Sequence, residues 1–198
     1  MPPEVSVVTS TLNEAESLPA LVRRLRSALE GVEHEIIVVD GGSSDGTPEL
    51  ASALADRAIE VPGGGQTLCL LEGIRAARSE VVVTIDADLE NPPELVPAVA
   101  AALTSGGYDL VVAVRSRLPR LGEYVASALL GSAIGVRDVF SNLRAYRRSR
   151  FASYRLRAGE TYGCELLAYA WAYRMRVGTV AYRQAYLRRD SRVGRGLR

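Results

Sequence analysis

Asp86 and Asp88 close a run of valine and isoleucine, and only Ala87 separates them, a side chain small enough to let both carboxylates turn toward one point. Oxygen donors with no histidine or thiolate nearby suit a hard cation such as Mg2+ or Mn2+, and Glu90 stands close by as a third oxygen donor. Such ions commonly leave positions for substrate phosphates, so the pattern implies a diphosphate ligand. Solvated loops and helix caps show the same spacing. A second constellation is Asp40-Gly41-Gly42-Ser43-Ser44-Asp45-Gly46-Thr47. An aspartate delivered to a strand end can accept hydrogen bonds from a base N–H or a ribose hydroxyl, glycines permit close approach, and Ser44 or Asp45 can cap the next helix. The segment is neither a Gly-x-Gly-x-x-Gly fingerprint nor a P-loop. His34 is the only histidine, which excludes a histidine-dependent triad and a multi-histidine metal site. Cys69 and Cys164 match no zinc or redox spacing, and a reducing cytoplasm fits them.

Charge is divided along the chain. The 198 residues carry 24 arginines, no lysine and a formal net charge of +1. Residues 1–109 hold 6 arginines and 18 acids, a balance of −12, whereas residues 110–198 hold 18 arginines and 5 acids, a balance of +13. One region is therefore suited to a cation and the other to an anion such as phosphate, nucleic acid or an anionic membrane; mutual neutralisation across the fold is the plainer alternative.

These residues need a scaffold, and the apolar pattern describes one. Val5–Thr9, His34–Val39, Glu80–Ile85 and Asp109–Val114 are β-branched runs of the kind buried on both sheet faces, and Ala58–Val61 is a shorter one. Between them, Glu14–Leu29, Pro48–Leu54, Thr67–Ala77 and Pro92 to about Thr104 read as helices. Four rounds of strand and helix predict a single α/β domain with a doubly wound, mainly parallel sheet and ligands at the carboxyl ends of the strands. Beyond Arg115 the pattern predicts helix over Gly122–Ile134 and Glu160–Arg174, an extended segment over Val139–Tyr146 and a strand over Val177–Tyr186. With 47% hydrophobic residues and no linker-like stretch, no domain boundary is expected within residues 1–198. No signal peptide is evident, and the uncharged stretch Tyr124–Val136 is too short to cross a bilayer, though it could lie on one or pack as an ordinary helix.

Three ordered segments carry a family resemblance: Val5 to Glu14 (VSVVTSTLNE), Val39 to Thr47 (VDGGSSDGT) and Ile85 to Glu94 (IDADLENPPE). The chain resembles glycosyltransferase family 2, with its Rossmann-like GT-A fold, and within it the dolichol-phosphate mannose synthases and related polyprenyl-phosphate glycosyltransferases. Later segments agree, among them Ser141-Asn142-Leu143-Arg144-Ala145-Tyr146 and Gly163-Cys164-Glu165. The resemblance implies that Thr9, Thr11, Glu14 and Asp40 hold the nucleoside, with Gly64 and Ala87 lining the donor. It also implies that Asp86, Asp88 and Glu90 hold the metal and diphosphate, and that Arg115, Arg117, Arg144, Arg189 and Arg192 contact phosphate on donor or acceptor. Four departures stand out: Gly41 where many members have a second aspartate, Gly64-Gly65-Gln66 for a Gly-Lys-Gly-like stretch, Asn142 where glycine is common, and Gly194-Arg195-Gly196 without a terminal Ser-Lys.

The expected reaction is inverting, metal-dependent transfer of a sugar, mannose or glucose, from a GDP- or UDP-linked donor to a polyprenyl or dolichyl phosphate. Residues 1–109 would form the donor and metal half and residues 110–198 the acceptor half. A lipid phosphate, largely dianionic at neutral pH, needs no protein base. A hydroxyl on a soluble or glycan acceptor, the alternative, would call on Glu165 or Asp138, both of which could equally be partners for neighbouring arginines. A sugar nucleotidyltransferase lacks its amino-terminal Gly-rich basic motif here. An arginine-rich nucleic-acid module is the non-enzyme alternative, and no periodic basic helix or aromatic platform supports it. A lipid acceptor further implies contact with the cytoplasmic face of a membrane or with a membrane subunit.

Overall fold

The computed structural model describes residues 2–116, 127, 131, 134–158, 160–161 and 163–183. The elements run β1 (Val5–Thr11), α1 (Leu18–Ala28), β2 (His34–Asp40), α2 (Thr47–Leu54), β3 (Arg57–Glu60), α3 (Gln66–Ala76), β4 (Val81–Thr84), a 3-10 turn (Pro93–Leu95), α4 (Val96–Ser105), β5 (Leu110–Arg115), β6 (Arg144–Arg147), α5 (Arg148–Phe151), α6 (Cys164–Ala172) and β7 (Val177–Tyr182). The strands form one sheet in the order β3-β2-β1-β4-β6-β5-β7. All pairings are parallel except those of β6, which runs against β4 and β5. The expected doubly wound, mainly parallel α/β sheet is thus present.

The continuous apolar strands are explained by which face each residue serves. On β2, Ile36 and Val38 pack into a core with Leu18, Leu21 and Leu25 of α1, while Ile37 and Val39 enter a second core with Leu70, Leu71 and Ile74 of α3. A strand covered on both sides has no polar face to reveal its period. Gly73 lets helix α3 pack against the sheet at Val8; a Cβ there would fall 2.2 Å from Val8 Cγ1.

Several boundaries differ from the sequence reading. α1 begins at Leu18 and not at Glu14, because Ser17 and Leu18 donate their N–H groups to Glu14 O and close a turn first. The Pro92-Pro93 start leads through the 3-10 turn before α4. Of the extended Val139–Tyr146 segment only the end is strand, because the guanidinium of Arg144 draws in the carbonyls of Val139 and Ser141 and curls residues 139–143 into a loop. The helix expected from Glu160 starts at Cys164, after Gly163 in the left-handed region, and the strand expected to reach Tyr186 is described to Tyr182. Most of the Gly122–Ile134 segment lies outside the described residues. Among the described residues no helix is long and apolar enough to cross a membrane.

Candidate active site

The carboxyl ends of β1 and β4 open onto a cleft of about 630 Å3, within the range that holds small organic ligands. After β4, the Ile85 N–H bonds to Val8 O at 3.0 Å and delivers Asp86, Ala87 and Asp88 to the cleft wall. Asp88 Oδ1 accepts the Glu90 N–H at 2.9 Å, and Leu89 between them takes φ +65°, a left-handed conformation rare for a branched residue. Glu90 and Asn91 also line the cleft.

Asp86 is held by side-chain amides. Gln66 Nε2 donates to Oδ1 at 2.7 Å, Asn142 Nδ2 to Oδ1 at 3.2 Å, and Asn91 Nδ2 to Oδ2 at 3.1 Å. Burial pushes its carboxyl up to about 7, and the neighbouring Asp88 and Glu90 add to the rise while Asn142 and Arg144 oppose it. The acidic side chains of Asp88 and Glu90 thus lie close to Asp86 at the end of β4.

On the β1 side, parallel register sets Thr11 beside Asp40, and Thr11 Oγ1 donates to Asp40 Oδ1 at 2.9 Å. Asp40 also accepts the N–H groups of Gly42 and Ser43 and the Ser43 hydroxyl, at 3.0, 2.7 and 2.5 Å. Burial raises its pKa, and these donors outweigh it, leaving the carboxyl below its ordinary value. Asp40 lies beneath Thr11 and not on the cleft wall, and Thr9 is wholly buried; of the four residues expected at the nucleoside, Thr11 and Glu14 line the cleft. Gly64 lines it too. Gly41 is explained by the meeting of two glycine turns: Gly63 N–H bonds Gly41 O at 3.0 Å, and a Cβ on Gly41 would stand 2.9 Å from Gly64 O, so an aspartate here would push the turns apart.

The basic residues divide sharply. Arg115 lines the cleft and forms a two-pronged pair with Asp138, Nε to Oδ2 at 2.7 Å and Nη2 to Oδ1 at 2.9 Å. Asp138 is thus a buried partner for an arginine and is not poised as a base. Arg144 corrects the expectation of a phosphate contact: it is 0% exposed, and its guanidinium donates to the carbonyls of Ser141, Gly163 and Val139 at 2.6, 2.7 and 2.8 Å. Glu165, considered as a base for a hydroxyl acceptor, does not line the cleft. It accepts the Tyr154 hydroxyl and the N–H groups of Arg157 and Ala158, which outweigh the upward push of burial and lower its pKa. These bonds hold residues 154–158 against the start of α6. Arg117, Arg189 and Arg192, and the terminal Gly194-Arg195-Gly196, lie outside the described residues.

The structure adds residues that the motifs did not assign to the site. Gln66 from the start of α3, and Asn91 and Asn142 from two loops, converge on Asp86. Glu160 reaches the start of α3, where Thr67 donates its N–H and its hydroxyl at 3.1 and 2.6 Å. Neutral amides carry no signal in a charge pattern, although Asn91 sits within the Asp86–Glu94 motif. As for a metal, no group of three histidine, cysteine or acidic side chains among the described residues is gathered around one point, in keeping with a site that substrate oxygens would complete. The donor set remains all oxygen and fits a hard cation whose coordination is completed by substrate oxygens.

Residues 6–127 match the family model described as Glycosyl transferase family 2. The chain is 40% identical over 167 residues to the undecaprenyl-phosphate 4-deoxy-4-formamido-L-arabinose transferase of Enterobacter sp. (strain 638), a match covering 73% of this chain and 49% of that protein. The Pseudomonas aeruginosa (strain LESB58) transferase of the same name is 38% identical, over 73% of this chain and 47% of its own. The chain thus spans about half the length of the curated relatives it matches. Among solved structures, Mycobacterium tuberculosis glucosyl-3-phosphoglycerate synthase with Mn2+, UDP and glucosyl-3-phosphoglycerate superposes with a TM-score of 0.79 at 27% identity, covering 95% of this chain and 73% of that one. The same enzyme with Mn2+ and UDP-glucose gives a TM-score of 0.76 at 27% identity, over 95% and 72%.

Proposed function

The chain belongs to glycosyl transferase family 2, and from that premise we propose that it transfers a sugar from a nucleoside-diphosphate donor to a polyprenyl phosphate, with inversion at the anomeric carbon. The observation that carries the reading is the position of Asp86 and Asp88 on the wall of a nucleotide-sized cleft at the carboxyl ends of β1 and β4. Residues 1–109 and 110–198 are read as the donor and acceptor halves of one catalytic domain. Thr11, Glu14, Gly64 and Ala87 line the donor, with Asp40 holding Thr11 from below. Asp86 and Asp88, with Glu90 beside them, would hold Mg2+ or Mn2+, which when bound supplies positive charge against the departing diphosphate.

In the reaction, a phosphate oxygen of the acceptor bonds to the anomeric carbon as the bond from that carbon to the donor diphosphate breaks. Arg115, kept at the cleft by Asp138, stabilises the negative charge of the phosphates. Arg117, Arg189 and Arg192 are assigned to the same work on donor or acceptor. The disposition of the carboxylates supports a lipid phosphate over a hydroxyl. Glu165 and Asp138 are committed to other partners, and Glu160, which does line the cleft, accepts two hydrogen bonds from Thr67. A dianionic phosphate attacks without a base. The donor is assigned as UDP-linked, because the solved relatives are complexes with UDP and UDP-glucose, and the sugar as glucose or mannose. A polyprenyl chain stays in the bilayer, so the enzyme would work against the cytoplasmic membrane face or beside a membrane subunit.

Similarity to an enzyme whose product is glucosyl-3-phosphoglycerate keeps one second reading, a hydroxyl acceptor on a small phosphorylated acid. Incubation with UDP- and GDP-sugars, Mn2+ and either undecaprenyl phosphate or 3-phosphoglycerate separates the two. Glycolipid formed only with the lipid phosphate supports the proposal, and product formed only with 3-phosphoglycerate overturns it.

A further inference from the structure

We propose that Tyr182 is a positioning residue for Asp86, acting through Asn91, and that this pair sets the direction of the carboxylate oxygen left open to a cation. The inference rests on the assignment of Asp86 to metal binding made above.

A carboxylate oxygen offers about two lone pairs. Among the described residues, Oδ1 of Asp86 accepts from both Gln66 and Asn142, at 2.7 and 3.2 Å, whereas Oδ2 accepts from Asn91 only, at 3.1 Å. The oxygen with capacity to spare is therefore Oδ2, and its position is fixed by one carboxamide. All three donors are neutral, so they orient the carboxylate without cancelling the charge that a cation requires.

A carboxamide can face either way, and the two directions have opposite effects here. With Nδ2 toward Asp86, Asn91 attracts the carboxylate; with Oδ1 toward it, Asn91 repels. The Tyr182 hydroxyl donates to Asn91 Oδ1 at 2.6 Å and so commits Nδ2 to Asp86. Asn91 is 5% and Tyr182 7% exposed, which leaves solvent little access to replace the phenol. Tyr182 is itself well anchored. It ends β7 opposite Arg115 of β5, and its carbonyl accepts the Ser116 N–H at 2.9 Å. Since β7 belongs to the second half of the chain, this contact ties the carboxylate of the donor half to the strand end next to Arg115.

Tyr182→Phe removes one oxygen and keeps the ring, so it tests the hydrogen bond with little change in packing. Mn2+ affinity in the presence of UDP, measured by calorimetry, should weaken roughly ten- to hundredfold in Tyr182→Phe, as for other outer-shell partners of metal ligands. The thermal midpoint and metal-free UDP binding should stay at the parent's values. Asn91→Ala should weaken Mn2+ at least as much, and adding Tyr182→Phe to Asn91→Ala should cost nothing further, because Tyr182 acts only through Asn91. The proposal is overturned by Tyr182→Phe affinity within about twofold of the parent, by a further loss in the Asn91→Ala background, or by a lowered midpoint that accounts for the change. A parent chain that binds no Mn2+ with UDP overturns the metal assignment itself, a failure visible before any variant is made.

Discussion

Replacing Arg144 with methionine distinguishes a buried brace from a phosphate ligand. The guanidinium is fully buried and satisfies the carbonyls of Ser141, Gly163 and Val139 at 2.6 to 2.8 Å. Methionine roughly fills the aliphatic volume but donates nothing, so three carbonyls lose the guanidinium's hydrogen bonds at about 1–3 kcal/mol each, with the weak Cys164 thiol donor remaining at Val139 O. No longer burying a cation offsets part of that loss. The net expectation is about 3–5 kcal/mol, a large fraction of the roughly 5–15 kcal/mol that holds a domain together. Urea denaturation followed by circular dichroism reads this directly, and the 139–143 loop, which carries Ser141 and Asn142 of the cleft, should lose order first. Arg144→Met as stable as the parent to within about 0.5 kcal/mol, but with weakened diphosphate binding, would refute the brace and restore the phosphate contact expected from sequence.

Other expectations concern packing, pH and the hold on residues 154–158. Gly73→Ala places a methyl 2.2 Å from Val8 Cγ1, so α3 must move off the sheet; the cost of overpacking, about 1–3 kcal/mol, should exceed the gain in helix propensity of roughly 0.5–1 kcal/mol, and a raised melting temperature would contradict this. Glu35 is buried, which raises its pKa, but the Ser6 hydroxyl and the N–H and guanidinium of Arg78 prevail and hold it below the ordinary 4.5. Its contribution to stability is therefore present above that value and lost as pH falls through the lower folded one. The stability gap between parent and Glu35→Gln should be widest near neutrality and close in acid, and a gap independent of pH would contradict the assignment. Glu165→Gln should loosen the 154–158 segment, seen as faster amide exchange, and leave the shape of the kcat pH profile unchanged; loss of about 10²–10⁴ in kcat with a vanished basic limb would instead mark a general base.

Much of the scaffold was legible because its physics is local. Ile36–Val39 announces a strand buried on both faces, and Leu18, Leu21, Val22 and Leu25 announce a helix with one buried stripe. The reversed direction of β6 was not legible, since a strand of four residues between two parallel neighbours looks the same in either orientation. Residues of the ordered motifs, among them Thr11, Glu14, Asp86, Asp88 and Glu90, line one cleft. Arg144 misled, and Asp138 and Glu165 stayed open between a base and a structural partner, because a charged side chain in a motif can serve a ligand or its own fold, and only burial and hydrogen-bond partners separate the two. Asn91 and Tyr182 meet across 91 positions of sequence, a distance no spacing rule spans.

The central claim is that Asp86 and Asp88 use a divalent cation to hold the donor diphosphate. Calorimetric titration of UDP into the parent and into Asp88→Ala, with and without Mn2+, tests it most directly. The account predicts that Mn2+ strengthens UDP binding in the parent and has no such effect in Asp88→Ala. Binding equally strong without the metal, or a variant that gains as much from Mn2+ as the parent does, would contradict it.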